Sequence, residues 1–173
     1  MSFDTRVSTS EGPHNPRGQS LHAPAGTGET TWVSGDVYTI KATAETTNGA
    51  FGFIEASVPP GGGPAPHVHS REDEAFYLLS GELEMRDGDE AFTAKSGDFI
   101  FVPRGSLHRF KNRGLHTAKL LIIFTPAGFE ACFTKGGDHP TPGMAPPQWD
   151  SARFERFQET MDQLDLGTQF HPE

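Results

Sequence analysis

Gly61-Gly62-Gly63-Pro64-Ala65-Pro66-His67-Val68-His69-Ser70-Arg71-Glu72-Asp73-Glu74 is the stretch on which the fold turns. Its glycines and prolines stop any preceding strand or helix, so a new extended segment starts near Ala65. In that segment side chains two apart point to the same side, which places the imidazoles of His67 and His69 on one face. Glu74 opens the next strand after the polar link 70–73. A second stretch, Gly97 to Asn112, delivers His108 at the start of a strand just after the Pro103-Arg104-Gly105 turn. If the sheet closes, these four side chains converge. Three imidazole nitrogens and one carboxylate suit Fe, Ni, Mn, Co, Cu or Zn, and suit neither calcium nor a thiolate zinc site. One divalent transition-metal ion on His67, His69, Glu74 and His108 is therefore the expected cofactor.

Outward from this stretch the chain reads as short strands between tight turns. Val37–Thr43 is rich in β-formers and ends at Thr47-Asn48-Gly49, and Ala50–Val58 resumes. From Ala65 to Thr125 the turns are Ser80-Gly81, Asp87-Gly88, Lys95-Ser96-Gly97, Pro103-Arg104-Gly105 and Arg113-Gly114. Strands this short and evenly spaced mean an all-β sandwich or barrel. Beyond Leu120–Thr125 the period changes. Pro126 is expected to open a short helix with Phe129, Cys132 and Phe133 on its apolar face, closed by Gly136-Gly137. Asp150 or Ser151 caps a second helix, with Phe154, Phe157, Met161 and Leu164 as a stripe packing on the outside of the barrel and Gly167 as its stop. The organisation is an N-terminal arm, 1–29, without hydrophobic period; a barrel, 30–126; and a helical extension, 127–173.

Bulk composition excludes several classes of function. The net charge is −9, from 14 Lys plus Arg against 23 Asp plus Glu, and no basic run offsets it. Such a field repels nucleic acid and acidic membranes, so neither is an expected partner. No basic start with an apolar run marks a leader, and no apolar stretch approaches the ~20 residues of a membrane helix, so a cytoplasmic protein is expected. Cys132 is the single cysteine and cannot form an internal disulfide; its helical spacing from Phe129 marks it as a small buried residue. His14 and His22 in the arm, and His116, His139 and His171 in loops, are read as solvated. Glu72 and Asp73 are read as a solvated loop face, and Lys41 as pointing to solvent rather than into the cavity.

The spaced residues also carry a family resemblance. Gly61-x5-His67-x-His69-x4-Glu74-x6-Gly81 is similar to the first cupin motif, and Gly97-x5-Pro103-x-Gly105-x2-His108-x3-Asn112 to the second. Every defining position is filled. The resemblance implies a cupin double-stranded β-helix (jelly-roll) barrel, a metal on the four side chains, and a homodimer. Trp32 to about Leu166 further resembles the single-cupin quercetin 2,3-dioxygenase-like proteins of bacteria, through Val58-Pro59-Pro60-Gly61-Gly62-Gly63-Pro64, His67-Val68-His69, Glu72-Asp73-Glu74-Ala75-Phe76-Tyr77 and Pro126-Ala127-Gly128-Phe129-Glu130. That group binds a flavonol on the metal, the counterpart of Glu74 accepts the hydroxyl proton, O2 adds, and carbon monoxide leaves.

Four protein ligands on a six-coordinate ion leave two open positions, as a catalytic site requires and a structural site does not. Glu74 is thus expected both to ligate and to act as general base. By strand parity Phe76 and Leu78 share its face and Phe110 shares that of His108, so these three are candidate substrate-binding walls, with core filling as the alternative. The expected function is a metal-dependent dioxygenase acting on a phenolic or enolic small molecule. The alternatives are a non-redox isomerase, cyclase or decarboxylase, and a ligand-binding protein without turnover.

Overall fold

The computed structural model describes residues 20–171. Eleven strands and three helices follow in the order β1 (Glu29–Val33), β2 (Asp36–Ala42), α1 (Ala44–Thr47), β3 (Gly52–Val58), β4 (His67–His69), β5 (Asp73–Ser80), β6 (Glu82–Asp87), β7 (Glu90–Lys95), β8 (Phe99–Val102), β9 (His108–Lys111), β10 (Ala118–Thr125), α2 (Glu130–Gly136), α3 (Ser151–Gln163) and β11 (Thr168–Phe170). They form a six-stranded sheet, β1-β2-β3-β10-β5-β8, and a five-stranded sheet, β11-β4-β9-β6-β7. Every pairing is antiparallel. The two sheets face each other without joining into one closed cylinder, an arrangement that fits the expected jelly-roll.

Strand alternation decides which residues go inside. In β3 the buried positions are Gly52, Ile54, Ala56 and Val58, and in β10 they are Ala118, Leu120, Ile122 and Phe124. Ile122 stands across from Ile54 on one side and Phe76 on the other. Leu83, Met85 and Phe110 of the second sheet complete one core with them. Each such side chain removed from water contributes roughly 1.5–3 kcal/mol. The glycine run before β4 is needed because the chain passes tightly over β9. Gly63 has φ +116°, and a Cβ there would overlap the Phe110 carbonyl.

Several sequence boundaries shift for local reasons. Thr43 leaves its strand to cap α1, and Asn48, left-handed at φ 53°, ends that single turn where a plain turn was expected. Pro126 does not open a helix; it follows β10 through a cis bond, and α2 starts at Glu130. The Glu130 carboxylate is buried and accepts from the Ala44 and Gly128 amides, tying α2 to α1. Asp150 caps α3 by accepting from the Arg153 amide at 2.9 Å. The α3 stripe packs on α2, joins the core cluster through Phe157 and Met161, and borders a cavity. Phe157 and Met161 are buried, but Phe154 is 45% exposed. Residues 1–19 of the expected arm, with His14, lie outside the described residues, and His22 is exposed. Among the described residues no helix is long and apolar enough to cross a membrane.

Candidate metal centre and its cavity

The four predicted ligands come from both sheets. His67 on β4 stands directly across from His108 on β9, and His69 lies two residues further along the same face. Glu74 on β5 belongs to the opposite sheet, held between Phe124 of β10 and Val102 of β8. All four are buried, and one ligand atom from each lies within 4.8 Å of the others.

Hydrogen bonding prepares these donors for an ion. Nδ1 of His67 lies 2.9 Å from the Ala65 carbonyl and Nδ1 of His108 lies 3.0 Å from the Ser106 carbonyl. A carbonyl only accepts, so both Nδ1 atoms carry the proton, and each Nε2 is left to the interior. Among the described residues His69 Nε2 is buried with no hydrogen-bond partner, with Glu74 Oε2 3.3 Å away. An orphaned imidazole nitrogen beside two others and a carboxylate fits a transition-metal ion, and these are the outer contacts that orient metal-binding histidines.

Without an ion the cluster holds its charges unequally. Burial, with the neighbouring imidazoles adding to it, pushes His67 down to about 3. Burial alone would raise the Glu74 carboxyl, but the 2.7 Å hydrogen bond with His108 and the nearness of His69 hold it at about 2. Burial would lower His108, yet the same hydrogen bond raises it. His108 and Glu74 therefore form an imidazolium–carboxylate pair, whose proton must leave when Nε2 takes a metal.

The C-terminal segment encloses the ligands. The Phe129 ring stands edge-on to His69 at 4.3 Å, and Phe170 of β11 lies 5.5 Å from His67. β11 pairs with β4, with Thr168 across from His69 and Phe170 across from His67. The sequence reading missed this strand, since three residues after Gly167 are too short to show a period. It also misplaced Glu72, which is 4% exposed and brings Oε2 to 3.7 Å from His69 Nδ1. The polar run 70–73 carried no signal for that. Asp73 is half-buried and paired with Arg104, which holds its carboxyl at about 2. Cys132 is buried, Lys41 donates to the Pro24 and Thr27 carbonyls at the surface, and His116, His139 and His171 are exposed, all as expected.

His67 and Glu74 open onto a cavity of about 80 Å³. Phe110, Ile122, Phe124, Phe129 and Phe133 form much of its wall, with Phe154 and Phe170 on exposed ground at its edge. Of the three candidate substrate walls only Phe110 lines this cavity. Phe76 packs behind it, ring centroids 5.8 Å apart, and Leu78 lies deeper in the core. Two polar groups of the cavity escaped the sequence reading: Asp36 and Tyr38, both inward on β2. Their alternation with Val37 was the available signal.

The cupin-domain family model matches residues 54–124, which hold all four candidate ligands. The tetracenomycin polyketide synthase protein TcmJ of Streptomyces glaucescens is 32% identical over 104 residues, 59% of this chain and 68% of that protein. The chain belongs to the cupin family. This cupin is also similar to quercetin 2,3-dioxygenase of Bacillus subtilis, 27% identical over 142 residues that cover 82% of the chain. The match spans only 42% of that relative's length. Among solved structures, a predicted oxalate decarboxylase from Thermotoga maritima superposes with a TM-score of 0.58 at 23% identity, covering 61% of this cupin and 99% of that chain. That likeness shows the fold.

Proposed function

We propose that this cupin is a metal-dependent oxidoreductase, a dioxygenase acting on a small phenolic or enolic molecule. The observation that carries the reading is the three-histidine, one-carboxylate cluster opening onto a phenylalanine-lined cavity. His67, His69, Glu74 and His108 would hold one divalent transition-metal ion, which supplies Lewis acidity and a route for electrons toward O2. The chain's own residues do the rest. Phe110, Phe124 and Phe129 exclude water and favour a flat apolar ligand. Glu74, ionised across neutral pH, accepts the proton of the ligand's hydroxyl at a carboxylate oxygen. A carboxylate this weak as a base is matched to a hydroxyl made acidic by a nearby cation.

Cavity size narrows the substrate. Pockets for drug-sized ligands run roughly 300–1,000 Å³, against about 80 Å³ in this cupin. A single-ring phenol or a small enediol suits the space better than a flavonol, which requires Phe154 and Phe170 to move outward. The small cavity and the similarity to a polyketide synthase protein favour a second reading, a non-redox cyclase or isomerase. Oxygen uptake separates the two. With metal-loaded protein and a panel of catechols, enediols and flavonols, consumption of O2 matching product supports the dioxygenase. Product without O2 consumption supports the second reading, and binding without product leaves a ligand-binding cupin.

A further inference from the structure

Asp36 is a buried carboxyl in an apolar cavity wall, and the chemistry assigned to Glu74 does not use it. It is 2% exposed and has no basic partner in ion-pair range among the described residues. Its two oxygens differ. Oδ2 accepts from the Tyr38 hydroxyl at 3.1 Å and from the Gly63 amide at 3.0 Å. Oδ1 is buried and has no hydrogen-bond partner among the described residues. Oδ1 packs against Gly62, where a Cβ would overlap it. Pinning the glycine loop and Tyr38 takes one acceptor oxygen. A second, desolvated and unpaired, is a standing cost unless something else comes to it. The residue lines the same cavity as His67 and Glu74.

We propose that the Asp36 carboxyl group is a second substrate contact of this cavity, forming one hydrogen bond to the oxygen of a small phenolic or enolic ligand that lies away from the four-ligand cluster. The inference rests on the reading that the cavity takes such a ligand, but not on whether O2 is consumed. Asp36 is then a specificity-determining residue: it selects ligands with a second oxygen. Burial pushes its carboxyl up to about 7, so the neutral acid is well populated near neutral pH and can donate to a carbonyl or a hydroxyl.

The test is calorimetric titration of the metal-loaded full chain with phenol, catechol, resorcinol and hydroquinone. The last three carry a second hydroxyl at increasing distance from the first. At least one of them is expected to bind the wild type about threefold to tenfold tighter than phenol, the worth of one hydrogen bond. Asp36→Leu should abolish that advantage while phenol affinity and metal content stay as in the wild type. Asp36→Asn, with a donor and an acceptor in the same volume, should keep most of it. Survival of the advantage in Asp36→Leu, an equal loss for phenol, or a fall in metal content overturns the proposal. Absence of binding by all four probes in the wild type overturns both this proposal and the cavity reading beneath it, whereas binding without oxygen uptake removes the dioxygenase alone. If Asp36→Leu does not fold, infrared difference spectra decide. A protonated-carboxyl band that shifts on ligand binding in the wild type and is missing from Asp36→Asn supports the proposal, and an unshifted band overturns it.

Discussion

Two buried carboxyl groups face one cavity and are driven in opposite directions. Glu74 sits among imidazoles, is held at about 2 and stays ionised. Asp36 sits among neutral donors, a tyrosine hydroxyl and a backbone amide, and burial pushes it up to about 7. Both are nearly inaccessible, so burial alone does not set their charge. What differs is whether the partner can carry a positive charge. Two carboxyls pushed apart in this way give one end of a cavity an anion that can bind metal and take a proton, and the other a neutral group that can donate a hydrogen bond.

The largest effect is expected at the anionic end. Glu74→Gln keeps the shape and one oxygen donor but cannot accept the proton. Turnover should fall by ~10²–10⁴ while metal is partly retained. Activity that instead tracks metal content in strict proportion would reduce Glu74 to a ligand and dissolve its side of the contrast.

Asp36→Asn tests the neutral end through stability. Unfolded Asp36 loses its proton near 3.8 and the folded residue near 7, so the native state holds the extra proton between those values. The stability this contributes is complete below pH 3.8 and is lost as pH rises through about 7. Three pKa units correspond to on the order of 4 kcal/mol. Denaturant unfolding of the metal-free proteins should therefore show Asp36→Asn gaining on the wild type by up to that amount from pH 4 to pH 8. Tyr38 and Lys111, the other titratable groups acting on Asp36, are common to both proteins. A difference that does not change with pH would place Asp36 among ordinary carboxylates.

A smaller effect is expected from the histidines. His108→Ala should weaken metal binding at least tenfold, on the order of 1.4 kcal/mol or more, read by competition with a chelator. The same change removes the strongest hydrogen bond to Glu74 and so should raise that carboxyl toward the Asp36 case. Lys41→Ala should do neither, because its amine is bound to the Pro24 and Thr27 carbonyls at the surface.

The anionic end was legible in the sequence and the neutral end was not. Fixed spacing wrote the first: His67 and His69 share a strand face, Glu74 follows a short polar link at the start of β5, and a proline–glycine turn precedes the strand that His108 opens. Asp36 and Tyr38 lie in a different strand whose pairing with β3 nothing local announces, and an aspartate at a strand start reads as a turn residue. Glu72 was lost for the opposite reason. An acidic run looks solvated until distant segments, Pro126 to Gly128 and Leu164 to Leu166, come to lie beside it. The α3 stripe had a clear period, but a period gives no partner, and Phe154 turned out to stand at the cavity's edge. The jelly-roll was read from family likeness, and the strand pairing into two antiparallel sheets bears it out.

The central claim is that His67, His69, Glu74 and His108 hold one transition-metal ion. Elemental analysis of the purified full chain, beside a variant with His67 and His108 both changed to Ala, tests it most directly. The account predicts about one Fe, Ni, Mn, Co, Cu or Zn per wild-type chain and almost none in the folded variant. Equal metal content in the two proteins would contradict it.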